Sequence, residues 1–148
     1  MFYKVYNMDN NKYSKGQIYL IKCKETGLGY VGSTIDPLRV RLSKHRTDFR
    51  GYYGFKDNKL RNYRSSFDVM ESDEYEIHLL EKYPCTERKE LLKREALWIL
   101  CCSATMTLTN KLKPYKLEES DLCELINLNT MDKQHLLNIE IENDELSK

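Results

Sequence analysis

Glu95 stands where a helix should be apolar. Leu91, Leu92, Trp98, Ile99 and Cys102 recur at helical spacing, and Glu95, four residues after Leu91 and three before Trp98, falls on the same stripe. A carboxylate aimed at a core costs several kcal/mol unless it is paired or holds a cation. Two readings follow: a salt bridge to a basic group on a neighbouring helix, or a metal ligand. An earlier helix shows a related pattern. Leu38, Arg41, Leu42 and His45 follow the i, i+3, i+4, i+7 rhythm, so Arg41 and His45 lie one turn apart at the border of a buried face. Arg39, six residues from His45, points elsewhere. An inward Arg and His suit either a structural pair or a site that handles anions and protons.

The segments before that helix bring phenols into the same part of the chain. Residues 17–23 (QIYLIKC) are rich in β-formers, ETGLG follows as turn chemistry, and residues 30–33 (YVGS) resume the strand pattern, which reads as a β-hairpin. Alternation places Tyr19 with Gln17 and Ile21 on one face, and Ile18 with Leu20 on the other. Tyr30 opens the second strand, and Gly32 within it marks a bulge or a close approach. Tyrosine favours strands in any case, so no single one of these features decides a function.

The remaining elements must hold these residues in place. Asp36-Pro37 announces a helix, with Asp at the N-cap and Pro at the first helical position, running to about Thr47. Residues 48–57 read as a loop and 57–64 as a short helix. Residues 75–82 (YEIHLLEK) are a third strand, closed by Pro84, and Thr86 is an N-cap for a helix from about Glu87 to Cys102. The order is that of an α+β domain, a small antiparallel sheet with helices packed on it. The first dozen residues are a polar lead-in or an edge strand. A short helix at 121–128, with Leu122, Leu125 and Ile126 on one face, is expected to pack on the domain or on a second subunit. We divide the chain into a lead-in (1–15), a main domain (16–115) and an acidic extension (116–148) whose last residues fray.

Composition narrows the classes of function. The chain of 148 residues is long enough for one modest core, and no stretch approaches the roughly 20 apolar residues that span a bilayer. No apolar export signal opens it, so an intracellular protein (cytoplasm or nucleus) is expected. The five cysteines form no C-x-x-C pair, which points to reduced thiols rather than a zinc ribbon or a redox site. The net charge of +1 conceals an asymmetry: residues 116–148 carry nine acids and three bases, leaving +7 on residues 1–115. A basic body with an acidic appendage suits a polyanion partner. Nine bases (Arg39, Arg41, Lys44, Arg46, Arg50, Lys56, Lys59, Arg61 and Arg64) oppose two acids, Asp48 and Asp57, in one stretch. Phe49, Tyr52, Tyr53, Phe55 and Tyr63 are interleaved with them, a pattern that fits phosphate neutralisation and base stacking. A solvated helix face with core aromatics is the plainer reading for about half of these residues.

Taken together, the segment GQIYLIKCKETGLGYVGSTIDPLRVRLSKH resembles the core of the GIY-YIG nucleases. Gln-Ile-Tyr at 17–19 stands for the first element and Tyr-Val-Gly at 30–32 for the second. Arg41 and His45 match the family's helix residues, Glu95 its glutamate, and Asn110 the asparagine that follows. Gln17 departs from the motif, although Gly16 immediately precedes it. Over residues 16–115 the resemblance implies a three-stranded antiparallel sheet flanked by helices, with Tyr19, Tyr30, Arg41, His45 and Glu95 converging as the catalytic set. It implies a DNA endonuclease with one Mg²⁺ or Mn²⁺ per active site, held by Glu95. In that scheme Arg41 binds phosphate, Tyr19 is the general base, Tyr30 orients the water or Tyr19, and His45 relays a proton or binds phosphate, while the two tyrosines could exchange roles. Gly32 and Asn110 are positioning residues. Arg39, Lys44, Arg46, Arg50, Lys59, Arg61 and Arg64 are the DNA-contacting bases. A catalytically inactive DNA-binding module on the same fold and a partner-binding domain are the alternatives. The chain is expected to act as a monomer or a homodimer.

Overall fold

The computed structural model describes residues 11–54, 62–111, 113–125 and 127–128. Phe55, Lys56, Asp57, Lys59 and Arg61 lie outside them, as does most of the segment expected to form a helix at 57–64. Its described end, residues 62–64, is not helical.

The sheet has three antiparallel strands: β1 (Gln17–Cys23), β2 (Gly29–Thr34) and β3 (Tyr75–Lys82), in the order β2-β1-β3. Central β1 is buried on both faces, which explains its nearly continuous apolar run. Ile18 and Leu20 face one core with Val31, Leu97 and Trp98, while Tyr19, Ile21 and Cys23 face a second with Val69. The hairpin turn closes through Cys23 N–H to the Leu28 carbonyl at 3.0 Å, and Gly27 supplies a φ of +72° that other residues rarely adopt.

Helix α1 (Leu38–Gly54) begins one residue later than expected, since the Pro37 carbonyl accepts the first helical bond from Arg41 N–H. Asp36 does not cap it; its carboxylate pairs with Lys44 at 2.6 Å. The helix also runs well beyond Thr47, through residues read as loop. Phe49, Tyr52 and Tyr53, joined by Tyr63, pack their rings around the fully buried Phe67, and this aromatic cluster carries the helix through Gly51. Phe67 opens the single-turn helix α2 (Phe67–Met70), which the sequence did not announce.

Helix α3 (Arg88–Ser103) lies on the other face of the sheet. Its N-cap is Glu87 rather than Thr86: the Glu87 and Glu90 side chains form a reciprocal capping box. A bulge where β3 passes Ile18 and Tyr19 lets two consecutive residues, Leu80 and Glu81, serve the α3 side. Glu81 takes a forked pair of bonds from Arg94 (2.7 and 2.8 Å) and one from the Trp98 indole (2.8 Å). These three bonds fix the rotation of α3, and therefore the direction of Glu95, the residue after Arg94.

The acidic segment is partly built into the domain. Leu117, Leu125 and the fully buried Leu128 join the α3 core, whereas Leu122, expected on that face, is 41% exposed. The side chain of Ile126 lies outside the described residues. Asp121 and Glu124 pair with Lys93 and Arg94 of α3. Among the described residues no helix is long and apolar enough to cross a membrane. All five cysteines are free; Cys23, Cys101 and Cys102 are buried, Cys85 is half-buried and Cys123 is exposed.

Candidate active site

The site forms around edge strand β2, where side chains from both layers of helix meet. Tyr19 and Gly32 are cross-strand partners on the α1 side. A Cβ on Gly32 would overlap the hydroxyl and Cζ of Tyr19, so glycine lets the Tyr19 ring lie flat across the neighbouring strand. That placement carries the phenol oxygen to α1. Arg41 Nε donates to it at 3.0 Å, and His45 Nε2 lies 2.7 Å away. His45 Nδ1 is 3.0 Å from the Ser66 hydroxyl, just before α2. Because Arg41 can only donate, the phenol proton points to His45 Nε2, and the neutral imidazole holds its own proton on Nδ1, toward Ser66.

Burial sets the protonation of this chain. His45 is 3% exposed, deeper than the border position read from helical spacing. Burial, reinforced by the charges of Arg41 and Arg64, depresses its pKa to about 3, so it is neutral at physiological pH. Burial likewise pushes the Tyr19 phenol above its ordinary range, and the attraction of Arg41 does not reverse this. Tyr19 is fully covered, while Tyr30, two residues from Gly32, is half-buried and packs edge-on against His45 with ring centroids 5.7 Å apart.

Glu95 reaches the same place from the opposite layer. It is 9% exposed, and its Oε2 accepts from the Ser33 hydroxyl at 2.7 Å. A serine therefore stands where a basic partner on another helix was the structural alternative. Burial raises the carboxyl above the usual carboxylate range, opposed by the Ser33 bond and by the charges of Arg41 and Arg88. Two cavities of about 350 and 380 Å³ open on either side of Tyr30, Arg41 and Glu95, and Arg88 and Leu92 line both. Asn110 anchors the outer edge of β2: its side chain accepts from Val31 N–H (3.0 Å) and donates to the Val31 carbonyl (2.8 Å), the two backbone groups between Tyr30 and Gly32.

The donor set bears on a cation. Among the described residues no group of three or more His, Cys, Asp or Glu side chains converges, which disfavours an all-protein cage. One carboxylate facing a cavity fits a hard divalent ion that keeps several waters and takes its other ligands from a phosphate.

The peripheral bases divide. Arg39 and Arg50 are exposed on α1, as are Lys44 and Arg46, and Arg64 is exposed in the non-helical stretch before α2, but Lys44, Arg46 and Arg64 have intramolecular partners. Lys44 pairs with Asp36, Arg46 donates to the Tyr75 hydroxyl, and Arg64 pairs with Asp48 at 3.1 Å. Lys59 and Arg61 lie outside the described residues. Sequence reasoning missed Ser33, Ser66 and Arg88. Arg88 was accessible to it, being two helical turns before Glu95 and so on the same face; Ser66 carried no periodic signal.

Residues 15–107 match the family model described as the GIY-YIG catalytic domain, and the chain belongs to that nuclease family. Comparisons with curated proteins and with solved structures gave no match.

Proposed function

We propose that the protein is an endonuclease that hydrolyses DNA phosphodiester bonds at a site built from Tyr19, Tyr30, Arg41, His45 and Glu95. The observation that carries this reading is their convergence from four elements, β1, β2, α1 and α3, onto two adjoining cavities. Phosphodiester hydrolysis needs a deprotonated water, a donor for the charge that grows on the phosphoryl oxygens, and help for the departing 3′-oxygen. Arg41 keeps two Nη groups as donors after committing Nε to Tyr19, and it serves the non-bridging oxygens. Glu95 would hold one Mg²⁺ or Mn²⁺, which supplies polarisation of the phosphate and neutralisation of the leaving oxygen.

Tyr19 accepts the proton of the attacking water while passing its own along the 2.7 Å bond to His45 Nε2. This concerted exchange avoids a free phenolate, which burial disfavours. Burial also makes the imidazolium costly, and negative charge building on the phosphoryl group offsets that cost. Tyr30 orients the water. A second reading exchanges the tyrosines, and one observation favours it: Tyr30 is half-buried beside both cavities, whereas Tyr19 is fully covered. Asn110 and Gly32 position the tyrosines. Arg39, Lys44, Arg46, Arg50, Lys59, Arg61 and Arg64 supply flanking phosphate contacts. The unit we assign to catalysis spans residues 16–115. Relaxation of supercoiled plasmid in Mg²⁺, absent in Glu95→Ala, tests the proposal; equal activity of both proteins rejects the role of Glu95.

A further inference from the structure

Four basic side chains line the two cavities: Arg41, Arg64, Arg88 and Lys111. Three have other engagements. Arg41 Nε donates to Tyr19, Arg64 Nε pairs with Asp48, and Lys111 lies over the Tyr63 ring, 4.8 Å from its centroid. Arg88 is exposed; among the described residues it has no ion pair within 4 Å, and its charge acts on Glu95 only from a greater distance. Its helix neighbour Arg94 shows the contrast, being held by Glu81 and Glu124. Arg88 also borders both cavities, as do Tyr30, Arg41 and Glu95, so it stands at their junction. It sits in the first turn of α3, on the face that carries Glu95. Arg41 approaches that junction from α1, in the other layer.

We propose that Arg88 is a second phosphate-binding arginine of the reaction centre, contacting the scissile phosphate from α3 while Arg41 contacts it from α1. The inference rests on the nuclease reading and goes beyond its residue set. Guanidinium forks on two sides of one phosphate fix its orientation in a way that a single arginine, free to swivel, does not. They also place donors on charge that develops as water adds. An arginine that makes no close hydrogen bond or ion pair among the described residues keeps its donors for the substrate.

The full-length protein, Arg88→Ala, Arg88→Lys and the neighbouring control Lys89→Ala are compared in two assays. Without metal, duplex affinity is measured against salt concentration. Arg88→Ala should flatten the log–log slope by about 0.9, the loss of one phosphate contact, and Lys89→Ala should match wild type. On DNA carrying an uncharged methylphosphonate at the cleavage position, Arg88→Ala and wild type should bind alike. With Mg²⁺, single-turnover cleavage should fall by roughly 100-fold in Arg88→Ala and recover in part in Arg88→Lys. An Arg88→Ala protein indistinguishable from Lys89→Ala in slope overturns the proposal, even if wild type cleaves DNA. A wild type that never cleaves, with the slope change present, rejects the nuclease reading and leaves the Arg88 contact standing.

Discussion

The Tyr19 hydroxyl lies 2.7 Å from His45 Nε2, and the imidazole that receives its proton is held neutral by the same burial that keeps the phenol protonated. The pair is therefore a hydrogen bond between neutral groups rather than an ion pair, which is what the proposed proton exchange requires. Tyr19→Phe removes the exchanging oxygen and should lower kcat by about 10²–10⁴-fold with little change in KM. Tyr30→Phe should lower kcat less. The reverse order, read from single-turnover rates, would assign the base to Tyr30.

Stability should depend on pH through His45. Its folded pKa of about 3 lies below the ordinary value of 6.5, so the unfolded chain binds more protons between those limits. Stability from this residue is full above about pH 6.5 and is lost as pH falls toward 3. Each pH unit crossed costs at most about 1.4 kcal/mol. Urea unfolding of wild type and His45→Gln across this range should show a shallower acid loss in the variant. Parallel curves would mean that His45 is not buried neutral.

Glu95 works in the opposite sense. Its carboxyl is raised by burial, so ionisation costs stability as pH rises through its folded pKa. Glu95→Gln retains an oxygen for the Ser33 hydroxyl and removes the charge. At neutral pH it should raise Tm, while abolishing cleavage. A lower Tm in the variant would show that the charge is satisfied within the fold.

Gly32 gives a steric prediction. The methyl group of Gly32→Ala would meet the Tyr19 hydroxyl directly, so the ring must leave its bond to Arg41 or to His45. Cleavage should fall about as far as in Tyr19→Phe, and circular dichroism should remain that of an α+β fold. Full activity would mean that the Tyr19 placement is not needed.

Much of this arrangement was legible in the sequence because it obeys local rules. Strand alternation separated Tyr19 from Ile18, helical spacing chose Arg41 over the exposed Arg39, and Glu95 broke an otherwise apolar stripe. The rest depends on tertiary packing. Residues 48–54 carry two glycines and read as a loop, but a ring cluster around Phe67 holds them helical. The partners Ser33 and Ser66 are small and polar, residues whose placement no periodicity announces. The bases between Arg39 and Arg64 read as a mixture of DNA contacts and ordinary surface without a sign of which was which, and pairs such as Arg64–Asp48 and Arg46–Tyr75, set by tertiary packing, begin to separate them.

The most direct test of the account is end analysis after incubation of labelled duplex, nicked and branched DNA with the protein and Mg²⁺. Cleavage leaving 5′-phosphate and 3′-hydroxyl ends, abolished by chelation and in Glu95→Ala, is the predicted result. Intact DNA under these conditions, or cleavage that persists undiminished in Glu95→Ala, would contradict it.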